Sequence, residues 1–273
     1  MSGLVYVYAL VAAEAVESQA GQAAGLSGIE QEPVSFLVEG PLAAAVSDVD
    51  AADFDERPLN ERVRDLQWLG PRAVSHQRVN AQLFERSEAV LPLAFGTVFR
   101  DDQGVRRLLR EQRSDFLSRL DHVRGSAEWV LTVHRDDAAA LASLEESSAA
   151  VRDLREQVAA GSPGRAYLLK RRLEDARRQE LIKADAEIIQ DIFASLDRHV
   201  EDTFHETLPP SVENGPMARA SVLVRRAVEG SFLHDLEQAR AGWQERGYAV
   251  SATGPWPPYR FGGLEPASAD AAS

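Results

Sequence analysis

Leu4-Val5-Tyr6-Val7-Tyr8 is the stretch from which the fold is read. It is β-branched and aromatic and too short for a helix, so it predicts a strand. Outward from it, strand and helix signals alternate. Residues 11–32 are Ala, Gly, Ser and Glu, a helix fragment and loop. Val34, Phe36 and Val38 alternate, Glu39-Gly40-Pro41 turns the chain, and Leu42, Ala44 and Val46 alternate again, which predicts a hairpin. Between Pro58 and Glu88 the period changes. Leu66, Leu69, Ala73, His76, Asn80 and Leu83 fall three or four apart on one helical stripe, with a kink or restart expected at Gly70-Pro71. Val90 to Ala94 reads as a short strand. Asp101 and Asp102 cap one helix that carries Val105, Leu109, Gln112, Phe116, Leu120 and Val123, and Gly125 ends it. Trp129, Leu131 and Val133 alternate and supply the last strand of the sheet. Strands backed on one face by two long helices amount to a ferredoxin-like α+β domain over residues 1–135.

Residues 136–160 are Ala-rich and helical, and Gly161-Ser162-Pro163-Gly164 breaks the chain. A helix from Arg165 to about Thr203 follows, with a stripe of Leu169, Leu173, Ala176, Leu181, Ala184, Ile188, Ile192, Leu196 and Val200. Such a helix is roughly 60 Å long. It exceeds what one small sheet can cover, so a helical hairpin with residues 136–160 is expected. Strand signals at Ala220–Val224 and Tyr248–Val250 flank a helix at Phe232–Glu245, a small α+β part completing a domain over 136–263. Beyond Leu264 the chain is mostly Pro, Ala, Ser and Asp, and residues 264–273 read as a disordered tail.

The chain has 273 residues, of which 44% are hydrophobic, which excludes wholesale disorder. Its net charge of −13 is local: residues 1–60 hold ten acids against one base, Arg57. That balance argues against a nucleic-acid binder, which needs a basic face, and against a polybasic membrane anchor. The absence of cysteine excludes disulfides, thiolate metal sites and Cys nucleophiles, and fits a reducing compartment. No apolar run reaches the roughly 18–20 residues of a membrane helix. The reading is a cytoplasmic protein.

The search for catalytic chemistry returns little. No G-x-S-x-G, G-x-x-x-x-G-K-[ST] or G-x-G-x-x-G is present. Gly161-Ser162-Pro163-Gly164-Arg165 lacks the Lys-Ser/Thr end of a phosphate loop and reads as a helix start. His199, Asp202, His205 and Glu206 cluster near a helix end, but histidines six apart face opposite sides of a continuous helix, so no metal is assigned. His76, one turn from Asn80, reads as a buried histidine hydrogen-bonded to Asn80 or to a neighbouring carbonyl, in preference to a catalytic residue. Lys170-Arg171-Arg172 and Arg177-Arg178 interleave with Glu174, Asp175 and Glu180, a solvated face with i,i+4 pairing. Gly254-Pro255-Trp256-Pro257-Pro258-Tyr259-Arg260-Phe261 is extended by its prolines. Its aromatic residues form either a strap over the chain's own core or an exposed anchor for a partner.

These residues carry a resemblance. Tyr6-Val7-Tyr8, Trp68 with His76, Leu91-Pro92-Leu93-Ala94-Phe95-Gly96-Thr97, Glu128-Trp129, Gly164-Arg165-Ala166-Tyr167-Leu168, Gly247-Tyr248 and the Gly254–Phe261 segment occur in an order similar to gas vesicle accessory proteins of the GvpF/GvpL family. The resemblance implies a ferredoxin-like domain followed by a domain built on a helical hairpin. It also implies a non-enzymatic role, without cofactor, in assembling gas vesicles. Its members look like nucleation factors or chaperones that bind the small, very hydrophobic shell protein, contact other accessory proteins, and associate with the vesicle. Tyr6, Tyr8, Phe95, Trp256, Tyr259 and Phe261 are the expected protein-interaction residues. A sheet edge or apolar groove is expected to receive the shell protein. The acidic segment, with Asp48, Asp50, Asp53 and Asp55, is expected to keep the complex soluble. The competing class is a small-molecule-binding regulatory module on the same fold.

Overall fold

The computed structural model describes residues 3–17, 25–208 and 215–263. The tail expected over 264–273 lies outside the described residues, as do parts of the loops expected at 11–32 and 209–217. The chain divides into two compact units, Met1–Glu128 with Pro255–Ser273, and Trp129–Gly254.

The first unit runs β1 (Gly3–Ala12), α1 (Ala13–Glu17), β2 (Ser35–Glu39), β3 (Leu42–Asp50), α2 (Ala51–Phe54), α3 (Glu56–Arg62), α4 (Leu66–Arg86), β4 (Leu91–Pro92), β5 (Val98–Phe99), α5 (Asp102–Glu111) and α6 (Arg113–His122). Its antiparallel sheet has the order β2-β3-β1-β4, with β5 also on β1. The first strand thus lies between the third and fourth, the ferredoxin-like order. The predicted hairpin is β2–β3, and Gly40 at φ +59° makes its turn.

β1 pairs with β3 in a register that slips between Val7 and Ala9, leaving Tyr8 as the extra residue of a bulge. Val5, Val7 and Leu10 therefore share one face and pack with Val105, Leu109, Phe116, Leu120 and Val123 of the α5–α6 side. Tyr6 and Tyr8 face α4 instead, where both rings meet His76. Helices cover both faces of the strand, not one as the sequence suggested. This is why β1 reads as a nearly unbroken apolar run.

Helix α4 continues through Pro71 without the restart that Gly70-Pro71 allowed. Pro71 lies in the second turn, so its missing N–H forfeits only the bond to the Gln67 carbonyl. Asp65 caps the start, accepting from the N–H groups of Gln67 and Trp68. Leu66, placed on the stripe by periodicity, is 80% exposed, and Trp68 takes the buried position. Asp101 caps α5 by accepting from Gly104 N–H. The expected single helix is broken at Gln112 into α5 and α6, which still keep one buried face.

The second unit holds β6 (Ser126–Arg135) from Trp129 onward, then α7 (Asp137–Ser147), α8 (Ala149–Ala160), α9 (Pro163–Leu196), β7 (Val200–His205), β8 (Ala218–Arg225), α10 (Glu229–Glu245) and β9 (Tyr248–Trp256) as far as Gly254. Its sheet order is β7-β8-β6-β9. Counted within the unit, this repeats the order of the first sheet. β6 therefore belongs to the second sheet, whereas its alternation had been assigned to the first. The 34 residues of α9, about 51 Å, begin at Pro163, where the missing N–H costs nothing. They pack on α8 as the expected hairpin. The helix ends at Leu196, short of the expected Thr203. Val200, Thr203 and Phe204 suit a strand better, and they pair antiparallel with β8.

Candidate functional site

In the first unit the motif residues converge on His76, which is buried on α4. Its Nδ1 lies 2.9 Å from the Tyr6 hydroxyl and its Nε2 lies 3.0 Å from the Asn80 amide. The i,i+4 spacing of His76 and Asn80 foreshadowed the second bond. A neutral imidazole offers one donor and one acceptor, and a hydroxyl and an amide can each answer either role. Burial holds the ring in that neutral form, pushing its pKa down to about 4 against a smaller opposing pull from the Leu93 carbonyl. The Tyr6 hydroxyl also accepts from Gly96 N–H at 3.0 Å, and burial raises its pKa. The Tyr8 hydroxyl accepts from Ile29 N–H at 2.9 Å and shares a bond with Ser47.

Phe54, Trp68 and Phe95 close the cluster, with Phe95 5.7 Å from the His76 ring and Phe54 5.4 Å from Trp68. Arg72 stacks 4.3 Å over the Trp68 ring and pairs with Glu30. The Leu91–Thr97 motif is the segment that seals this hub. Leu91 and Pro92 pair with β1, Leu93 N–H donates to Tyr8 O, and Gly96 turns at φ +85°. Val7 N–H donates to Thr97 O. Among the described residues no nucleophile, second acid or metal set is found in contact with His76. Among the described residues there is no group of three His, Cys, Asp or Glu able to hold a metal. The arrangement suits an internal polar anchor better than acid–base chemistry.

The terminal motif closes over the same unit. Pro257 and Pro258 are buried, and Phe261 packs against the core that holds Leu91 and Val123. Arg260 N–H donates to Glu128 at 2.7 Å, and Arg119 donates to the Gly263 carbonyl. A Cβ on Gly262 would stand 2.9 Å from Leu91 Cδ2, so a larger residue there would have to displace that side chain. The Tyr259 hydroxyl is buried beside Asn80 without full hydrogen-bond geometry, and burial raises its pKa. The strap reading describes Tyr259 and Phe261. Trp256 is 47% exposed. Of the six expected interaction residues, Tyr6 and Tyr8 are fully buried, Phe95, Tyr259 and Phe261 are half-buried, and only Trp256 faces outward.

The second unit carries an open groove of about 530 Å³, which sequence reasoning missed because it lies where the helix was expected to continue. Ile189, Phe193 and Leu196 of α9 line one wall; Leu131, Val200 and Val222 line the other. β7 is an edge strand beside it, and Phe204 is exposed on that strand. The His199 cluster resolves differently from a metal site: His199 and Arg198 both bond Asp235, while His205 packs edge-on against Phe193 at 4.8 Å. Nor do Lys170, Arg171, Arg172 and Arg178 form the i,i+4 pairs expected of them, although Lys183 pairs with Glu180 and Arg177 with Glu145. No helix among the described residues is long and apolar enough to cross a membrane.

Each of the two units is a sheet with helices packed on it, and matches to known proteins cover nearly the whole chain. Residues 4–262 match the family described as gas vesicle synthesis protein GvpL/GvpF. The chain belongs to this family. Gas vesicle protein L of a Streptomyces species is 35% identical, with 88% of this chain and 87% of that protein aligned. Gas vesicle protein F of the same species is 30% identical, over 86% of this chain and 90% of that protein. The crystal structure of the gas vesicle protein GvpF from an Anabaena species shares the fold with a TM-score of 0.68 at 19% identity, covering 97% of this chain and all of that one. Membership in the GvpL/GvpF family supports a role in gas vesicle assembly.

Proposed function

We propose that this chain is a non-enzymatic, cytoplasmic assembly protein of the gas vesicle. On this reading it binds the small hydrophobic shell protein, limits its aggregation, helps nucleate the shell and meets other accessory proteins at the vesicle. The observation that carries the proposal is the family match over residues 4–262. The outward Trp256 supports it, because an aggregation-prone apolar partner needs apolar surface on its carrier.

The acidic N-terminal segment supports the solubilising half of the reading in a narrower form. Asp50 and Asp55 are spent capping α2 and α3, and Asp53, Glu30 and Glu39 pair with Arg62, Arg72 and Arg106. Glu14, Glu32, Asp48 and Glu56 remain exposed. Co-expression with the shell protein tests the proposal: soluble shell protein should rise and co-purify with this chain. Unchanged aggregation without co-purification rejects it. Neutralising Glu14, Glu32, Asp48 and Glu56 together should return shell protein to the pellet while leaving the carrier folded. Trp256→Ala should reduce co-purification with a change in stability within about 0.5 kcal/mol, as expected for an exposed site. Co-purification equal to the unmodified chain would remove Trp256 from the surface.

A further inference from the structure

Helix α9 is polarised in charge. Residues 163–183 hold seven bases and three acids, whereas residues 184–196 hold three acids and no base, and residues 197–206 beyond the helix add four acids against Arg198. Arg165, Lys170, Arg171, Arg172 and Arg178 have no ion-pair partner among the described residues. Beside them Tyr167 and Leu168 are 76% and 66% exposed, unusual for side chains of that size. Leu168, Arg171, Arg172, Ile182, Ala186, Ile189 and Phe193 fall within about 100° of the helix circumference. One end of α9 thus carries unpaired bases and an apolar knob, and some 20 residues on lies an apolar groove. Near it Glu187 and Asp197 have no ion pair among the described residues, whereas Asp185 and Asp191 already pair with Arg135 and Arg246.

Those two ends are complementary to each other but lie too far apart on one rigid helix to meet. Reversing a second copy brings them together. We propose that two copies of this chain pair antiparallel along α9, each placing Leu168 in the groove formed by Ile189, Phe193 and Leu196 of the other. With a two-fold axis near Glu180, residue 168 lies opposite 192. The same operation sets Arg172 beside Glu187 and Arg165 beside Asp197, twice over, because an isologous contact repeats every pair. The overlap is about 30 residues, or about 45 Å of helix. A parallel arrangement would oppose like charges along the whole length, so the pattern selects direction as well as partner. The pairing makes no use of the shell protein, so it stands or falls separately from the proposed function.

Mass measurement by light scattering on the full chain tests this. At about 50 mM salt a dimer mass is expected. Association should weaken about tenfold at about 500 mM, where charges are screened beyond a few ångströms. The decisive arm is a charge exchange. Arg165→Glu with Arg172→Glu, and separately Glu187→Lys with Asp197→Lys, should each weaken self-association about tenfold or more. An equimolar mixture of the two should recover the association of the unmodified chain, since every repulsive contact is then restored to an attractive one. Leu168→Asp, at an exposed site that leaves the fold intact, should give a monomer. A monomeric unmodified chain at low salt overturns the proposal. So do variants that dimerise undiminished, or a mixture that stays monomeric.

Discussion

Lowering the pH from 6.5 to 4 is expected to cost the first unit roughly 3 kcal/mol through His76 alone. Burial among Tyr6, Tyr8, Phe95 and Asn80 depresses the folded pKa of His76 to about 4, against an ordinary value of 6.5 in the unfolded chain. Between those values the unfolded state binds more protons, so stability rises with pH. The contribution is complete above 6.5, fades as pH falls through the window, and is level below 4. No carboxylate forms a hydrogen bond to the ring that could stabilise its cation. Other groups titrate in the same window, so the observable is a difference. His76→Gln keeps an amide in place of the ring but carries no titrating proton. Its denaturant midpoint should vary less steeply between pH 4 and 6.5 than that of the unmodified chain. Parallel curves would show that His76 titrates alike in the folded and unfolded chain. His76→Ala should cost more at neutral pH, about 3 kcal/mol or more, because it opens a cavity and strands the Tyr6 and Asn80 groups.

The hub shows what sequence conveys and what it withholds. Periodicity identified β1, α4 and the β2–β3 hairpin, because alternation and a three-four stripe are local properties of the chain. The His76–Asn80 bond followed from the same helical spacing. Which sheet takes a strand is not local: Trp129, Leu131 and Val133 announce a strand but not its neighbours, and β6 lies between β8 and β9. The bulge at Tyr8 was equally hidden, since a single slipped residue leaves no mark in a run that is apolar on both faces. The end of α9 was lost because Val200 continues its stripe, while tertiary pairing with β8 overrides that pattern. The motifs themselves conveyed membership of a family more readily than role. Tyr6, Tyr8 and the Leu91–Thr97 segment hold one buried network together, whereas the groove beside β7 has no motif at all.

Gly247→Ala is expected to destabilise the second unit by at least about 3 kcal/mol, combining a forbidden backbone angle with a collision that cannot relax. Gly247 sits at φ +89°, and a Cβ there would lie 2.3 Å from Ala140 N, 2.7 Å from Ala140 Cα and 2.8 Å from Ala139 C. All three are backbone atoms in the first turn of α7, so no side-chain rotation removes the overlap. Nor is the glycine free to retreat. Its N–H donates to Gln244 O at the end of α10, and its carbonyl accepts from Asp136 N–H at 2.9 Å. Asp136 in turn caps α7 by accepting from Ala138 and Ala139. Moving Gly247 therefore loosens the end of one helix and the start of another, and drags Tyr248, whose hydroxyl donates to Asp185 on α9. Gly125→Ala separates the two components. Gly125 has φ +65° with open space around it, so its substitution carries the backbone cost alone, about 1 kcal/mol. Denaturant unfolding of both variants measures the difference. Equal losses at the two positions would mean that α7 yields to the intruding methyl group, and that the α10–α7 junction is softer than its close backbone approach implies.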